Sequence, residues 1–170
     1  MEGKYKLRRI TYTIFVFLVL TLPTVAQSMI SSDSPALLEV VHSSCSIANC
    51  SDFYTRRIYV NGASMVEFNI IERAHSGPPR RVQHREETQL KPAELAAFVG
   101  LTEKADFLNA SREYIVKRVV DSTSWVTIKF HKEKLEKQVT IYNYLIASPE
   151  EKAKLPASVL KIIELSTPGQ

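Results

Sequence analysis

Cys45 and Cys50 are the chain's two cysteines, separated by four residues in the stretch SSCSIANCSDFY, residues 43–54. Three chemistries suit such a pair. A metal clip would recruit His42 as His-x2-Cys-x4-Cys, which supplies three ligands and no evident fourth. A redox couple calls for C-x-x-C spacing and a following helix to lower one thiol's pKa, whereas this pair runs into a strand-like stretch. A disulfide needs only an oxidising compartment. The remaining histidines, His75, His84 and His131, are scattered without metalloprotease spacing, and Ser43, Ser44 and Ser46 have no evident base or orienting acid. No G-x-S-x-G, phosphate loop or dinucleotide fingerprint is present in the sequence.

The N-terminal residues bear on the compartment. Lys4, Lys6, Arg8 and Arg9 form a basic head, residues 14–20 an unbroken apolar run, Pro23 a helix breaker and residues 24–26 a small-residue end. This pattern reads as a cleavable signal peptide over residues 1–26, followed by a disordered leader over 27–35. The apolar stretch over 10–26 falls short of the roughly 20 residues that span a bilayer comfortably. The expected location is therefore secreted or periplasmic, with membrane contact only through the signal. In an oxidising compartment a disulfide is the simplest reading of Cys45 and Cys50, and the redox and metal roles stand as alternatives. The chain has 22 basic and 18 acidic residues; removing the four basic residues of the signal and Glu2 leaves 18 against 17. A net charge near zero gives no support to nucleic-acid binding.

Residues 36–166 read as a single α+β domain. ALLEVVHS (36–43), FYTRRIYV (53–60) and SMVEFNII (64–71) are strand-like, and RRVQHREET (80–88) is a weaker fourth. A three-residue loop Val60-Asn61-Gly62, with Gly62 in the left-handed position, sets Tyr54 opposite Phe68, Arg56 opposite Val66 and Ile58 opposite Ser64. That register gathers Tyr54, Ile58, Val66, Phe68 and Ile70 on one buried face. Pro92 and Glu94, with Leu90 stapled to Leu95, start a helix. Val126, Ile128 and Phe130 then alternate against Val139 and Ile141 across HKEKLEK, and a last helix from about Pro156 buries Val159, Leu160 and Ile163. The expected fold is a mainly antiparallel sheet with two helices packed on one face.

CSIANCSDFYTRRIYVNG, LKPAELAAFVGLTEKADFL, Tyr114, Asp121, WVTIKF, VTIYNY and LPASVLKIIEL, taken in that order over residues 37–165, resemble a family of uncharacterised bacterial secreted domains. Its members typically carry a paired-cysteine loop, a tyrosine and an I-Y-x-D/N-G hairpin. The resemblance implies export and an α+β fold, and no established activity.

Two surfaces are candidates for function. Strand alternation places Phe53, Arg57, Tyr59, Met65, Ile71, Trp125, Lys129, Tyr142 and Tyr144 on the face opposite the core. Aromatic and arginine side chains dominate protein contact sites, so Arg57, Tyr59, Trp125, Lys129, Tyr142 and Tyr144 form a candidate binding face. A basic loop over 73–85 carries Arg73, Arg80, Arg81 and Arg85. The sequence thus points to a non-catalytic binding or interaction domain of the cell envelope, with an unidentified protein or envelope ligand as partner and no cofactor, metal or catalytic residue assigned. The alternative is an envelope hydrolase with a site near Tyr114 and Asp121. Mass spectrometry after alkylation of protein exported by its own signal should find neither Cys45 nor Cys50 modified; two alkylated thiols would exclude the disulfide.

Overall fold

Seven strands form one sheet in the computed structural model, which describes residues 35–46, 49–72, 80–117 and 123–167. The strands are β1 (Leu38–Ser46), β2 (Asn49–Ile58), β3 (Ala63–Glu72), β4 (Arg80–Gln89), β5 (Glu113–Ile115), β6 (Thr123–Lys132) and β7 (Leu135–Tyr142). Their order is β4-β3-β2-β1-β6-β7-β5, antiparallel except where β5 lies parallel to β7. The described helices are α1 (Pro92–Thr102), α2 (Ala105–Leu108), α3 (Pro149–Lys152) and α4 (Ala157–Ser166), with a 3-10 turn at Tyr144–Ile146. The fold is mixed α/β and dominated by its sheet.

Four helical segments stand where the sequence suggests two. The additional pair, α2 and α3, have four residues each, too short for a helical period to show against the background. The signal segment and residues 27–34 lie outside the described residues. No described helix is long and apolar enough to cross a membrane.

The β2–β3 hairpin has the register read from the sequence: Tyr54 opposes Phe68, Arg56 opposes Val66 and Ile58 opposes Ser64. Gly62 adopts φ +82 and donates its N–H to the Tyr59 carbonyl at 2.9 Å, closing the three-residue loop. Continuing these pairings across the sheet puts Leu38, Val40, Ile58, Val126, Ile128, Phe130, Val139 and Ile141 on one face, here called the front. They share one hydrophobic cluster with Phe98 of α1, Phe107 of α2 and Val159, Ile162 and Ile163 of α4. Within α4, Ile162 takes the fully buried place expected for Leu160, which is half-buried.

Both ends of α4 are held by other elements. Its N-cap, Pro156, has no side-chain cap, and Asp106 accepts the Ser158 N–H at 3.0 Å instead. At the other end, Tyr54 Oη donates to the Ser166 carbonyl and Arg56 Nη1 donates to the Leu165 carbonyl at 2.8 Å. Carbonyls of the last helical turn have no partner within the helix, so β2 satisfies groups that would otherwise stay unpaired. The Arg56 guanidinium also lies over the Phe98 ring, 5.5 Å from its centroid, and so joins α1 to the same strand.

A Cβ added at Gly62 would meet Gln89 Nε2 at 2.8 Å, in a backbone region that costs an L-residue about 1–2 kcal/mol. Gly62→Ala should therefore lower stability by about that amount, and Ile128→Ala, at a fully buried position, by about 2–5 kcal/mol. Urea denaturation midpoints of the two variants check both values and their order.

Candidate functional site

Two local irregularities build a cleft on the front face. The first lies between β1 and β2. His42 opposes Tyr54 but Ser43 opposes Asp52, which leaves Phe53 as the extra residue of a β-bulge. The bulge lets Phe53 break the alternation of its strand, so that it lines the front cleft, with its ring centroid 6.0 Å from that of His42.

The second irregularity is Asn143, which ends β7 at φ 62. Asparagine tolerates the left-handed region better than most residues. Its place is fixed by three hydrogen bonds: its N–H donates to Ser124 O at 2.5 Å, its Nδ2 donates to Lys117 O at 2.6 Å, and its Oδ1 accepts from Ser124 N at 3.3 Å. The chain then enters the 3-10 turn, and Tyr144 packs against the front hydrophobic cluster instead of continuing the alternation of Tyr142.

The resulting cleft has a volume of about 530 Å³. Its sheet wall is His42, Phe53, Tyr54 and Phe68; Tyr144 and Leu145 of the 3-10 turn, Lys152 of α3, and Ile163, Glu164 and Thr167 at the end of α4 complete it. His42, Tyr54 and Phe68 stand directly opposite one another on three adjacent strands, with successive ring centroids 5.2 and 5.3 Å apart. Spacings of this size suit edge-to-face and tilted ring contacts.

The wall's polar groups differ in what they have left to offer. Tyr54 spends its proton on Ser166, and burial pushes its phenol up to about 12 despite the opposing influence of Arg56. Thr167 Oγ1 donates to Ile163 O at 2.9 Å, and Glu164 pairs with Lys161 at 2.9 Å. His42 is 4% exposed, its Nε2 has no hydrogen-bond partner among the described residues, and burial lowers its pKa from 6.5 to about 4. Lys152 Nζ sits 4.6 Å from the Tyr144 ring centroid.

The residues singled out in the sequence are distributed differently from the expectation. Arg57, Trp125, Lys129 and Tyr142 do share the back face, where Trp125 stands opposite Tyr142. Tyr59, however, is buried at 9% exposure, and Tyr144 lies on the front because Asn143 redirects the chain. The back-face cations are also already engaged. Glu39 receives Arg57 Nε at 2.7 Å and Lys129 Nζ at 2.8 Å, while Arg57 Nη1 reaches Glu67 at 2.6 Å. Burial alone would raise the Glu39 carboxyl, but hydrogen bonds from Lys129 and Arg57 hold it below its usual range.

The basic segment overlaps the fourth strand read from the sequence. Arg80, Arg81 and Arg85 belong to β4, which pairs with β3 along ten residues, and Arg85 forms an ion pair with Glu87. Arg73 and Asp121 lie outside the described residues, as do the side chains of Arg80 and Cys50. Tyr114 packs against the core cluster and its hydroxyl accepts the Ser111 N–H at 2.9 Å, so the group named for hydrolysis ties down a loop.

Strand alternation sends His42 to the front and Cys45 to the back, which separates two of the three ligands of the metal clip. Among the described residues no three His, Cys, Asp or Glu side chains are grouped to hold a metal. Neither models of known protein families nor curated proteins match this chain. Sequence inspection missed Lys152, Glu164 and Thr167 as members of a site; only the position of His42 in an otherwise apolar period-two run marked the cleft.

The depressed pKa of His42 gives the fold a defined acid sensitivity. Above about 6.5 the histidine is neutral in both folded and unfolded chains; below that value the unfolded chain takes up the proton first, and stability falls as the pH drops towards about 4. Between pH 7.5 and pH 4.5 this single group should remove about 2–3 kcal/mol. In His42→Phe that component should vanish, so urea midpoints at the two pH values should differ less than in the parent protein.

Proposed function

We propose that this protein is an exported, non-catalytic binding domain of the cell envelope and that it holds a small ligand in the front cleft. The observation that carries this reading is the cleft wall. Three rings in register across adjacent strands supply contact surface, while Tyr54, Thr167 and Glu164 are committed to partners within the protein. A volume of about 530 Å³ lies in the range of small-molecule sites, about 300–1,000 Å³. Among the described residues the lining includes no serine or cysteine nucleophile.

Export rests on the basic head and apolar run of residues 1–26, and the α+β secreted-domain family resembled by the sequence fits the same location. A Cys45–Cys50 disulfide fits it too. The two residues are directly opposed in the β1–β2 ladder. Opposed residues of antiparallel strands have Cα atoms about 4.5 or 5.5 Å apart, within the span a disulfide accepts, about 4.4–6.8 Å. Closing so short a loop adds about 2 kcal/mol. We propose, finally, that α1 and α4 cover one sheet face together, a packing supported by the cluster that Phe98, Val159, Ile162 and Ile163 share with the front strands.

The chain's one tryptophan, Trp125, is on the back face and separates the two candidate surfaces experimentally. An uncharged fluorescent probe such as N-phenyl-1-naphthylamine should bind the exported protein with increased probe emission. Leu145→Asp, at a 46% exposed position of the cleft rim, should weaken binding about tenfold or more, and Trp125→Phe should leave it intact. The reverse pattern would move the site to the back face.

A further inference from the structure

The cleft carries one ionic group that has no counter-ion among the described residues. Of its two charged side chains, Glu164 forms an exposed ion pair with Lys161 at 2.9 Å. Lys152 has no carboxylate partner among the described residues and rests on the Tyr144 ring, 4.6 Å from the centroid. A ring face attracts an ammonium through its quadrupole, but a carboxylate offers both full charge and hydrogen-bond acceptors and is the stronger partner. The rest of the described wall is apolar or aromatic apart from Thr167, whose hydroxyl donates to Ile163 O, and burial keeps His42 neutral at neutral pH, so no second cation competes at the floor. A cationic ligand would meet Lys152 as a like charge. A neutral apolar ligand would leave the ammonium unused.

Resting on the reading of the cleft as a binding site, we propose that its ligand is a small monocarboxylic acid, with its apolar body against Phe53, Tyr54 and Phe68 and its carboxylate on Lys152. The volume of about 530 Å³ accommodates an aryl or medium alkyl chain and excludes a macromolecule from the interior of the cleft. Tyr144 then changes role, from the resting partner of the ammonium to a side wall of the occupied cleft. Lys152 becomes the residue that sets specificity, and the rings supply contact without chemical selectivity.

The test is an NMR titration of the exported protein with three probes of similar shape: 3-phenylpropionate, 3-phenylpropionamide and phenethyl-trimethylammonium. The acid is expected to shift cleft resonances and to bind about tenfold tighter than the amide, with the cation weakest. In Lys152→Met the amide should bind as before and the acid should lose its advantage, while an unchanged thermal midpoint and spectrum certify the fold. An amide or cation that binds the parent cleft as tightly as the acid would overturn the carboxylate assignment and leave the binding-site reading standing. Retention of the acid's advantage in Lys152→Met would do the same. Absence of cleft shifts with all three probes would overturn the binding-site reading, and the assignment with it.

Discussion

The last-turn carbonyls of α4 must find donors, and β2 provides them. Tyr54 and Arg56 stand two residues apart on the front of that strand and reach Ser166 and Leu165. This requirement fixes where the helix ends over the sheet. Since the same Tyr54 ring stands between His42 and Phe68, the contact that anchors the helix also forms the middle of the cleft wall. Ile163, Glu164 and Thr167 reach the cleft because the helix terminates there.

The two faces of the sheet solve different problems. On the front, apolar side chains from five strands meet helical residues in one cluster, and burial of that surface supplies the non-directional part of the stability. On the back, Met65, Arg57, Glu39, Lys129 and Gln138 form a row across five strands, in which Glu39 is shared by two cations. Beside it, the row Glu67, Thr55, Val41, Thr127 and Thr140 carries mostly small, buried side chains. A face organised by paired charges and short side chains is poorer in free binding groups than its composition suggests.

His42 shows how burial and function are coupled in this fold. Alternation along β1 places it after Leu38 and Val40 on the core side, where water no longer solvates the imidazolium. The neutral ring is then a flat surface at the cleft floor, and the same desolvation makes the fold sensitive to acid. The bulge at Phe53 sits against it and brings a second ring to the floor.

Strand periods, the Gly62 loop and the start of α1 were legible in the sequence because each depends on neighbours along the chain. Alternation fixes a face, a left-handed glycine fixes a hairpin register, and Pro92 with Glu94 fixes a helix start through the bond from Lys91 N to Glu94 at 2.8 Å. The site was not legible, because it depends on departures from those periods. A one-residue bulge brings Phe53 to the front, and a single left-handed asparagine carries Tyr144 to the same side. The nearness of Lys152 and Glu164 to His42 comes from docking α3 and α4 on the sheet, more than a hundred residues along the chain. Local sequence determined the elements and their buried faces; only tertiary packing decided which polar groups found partners and which, like His42 and Lys152, were left facing a cleft.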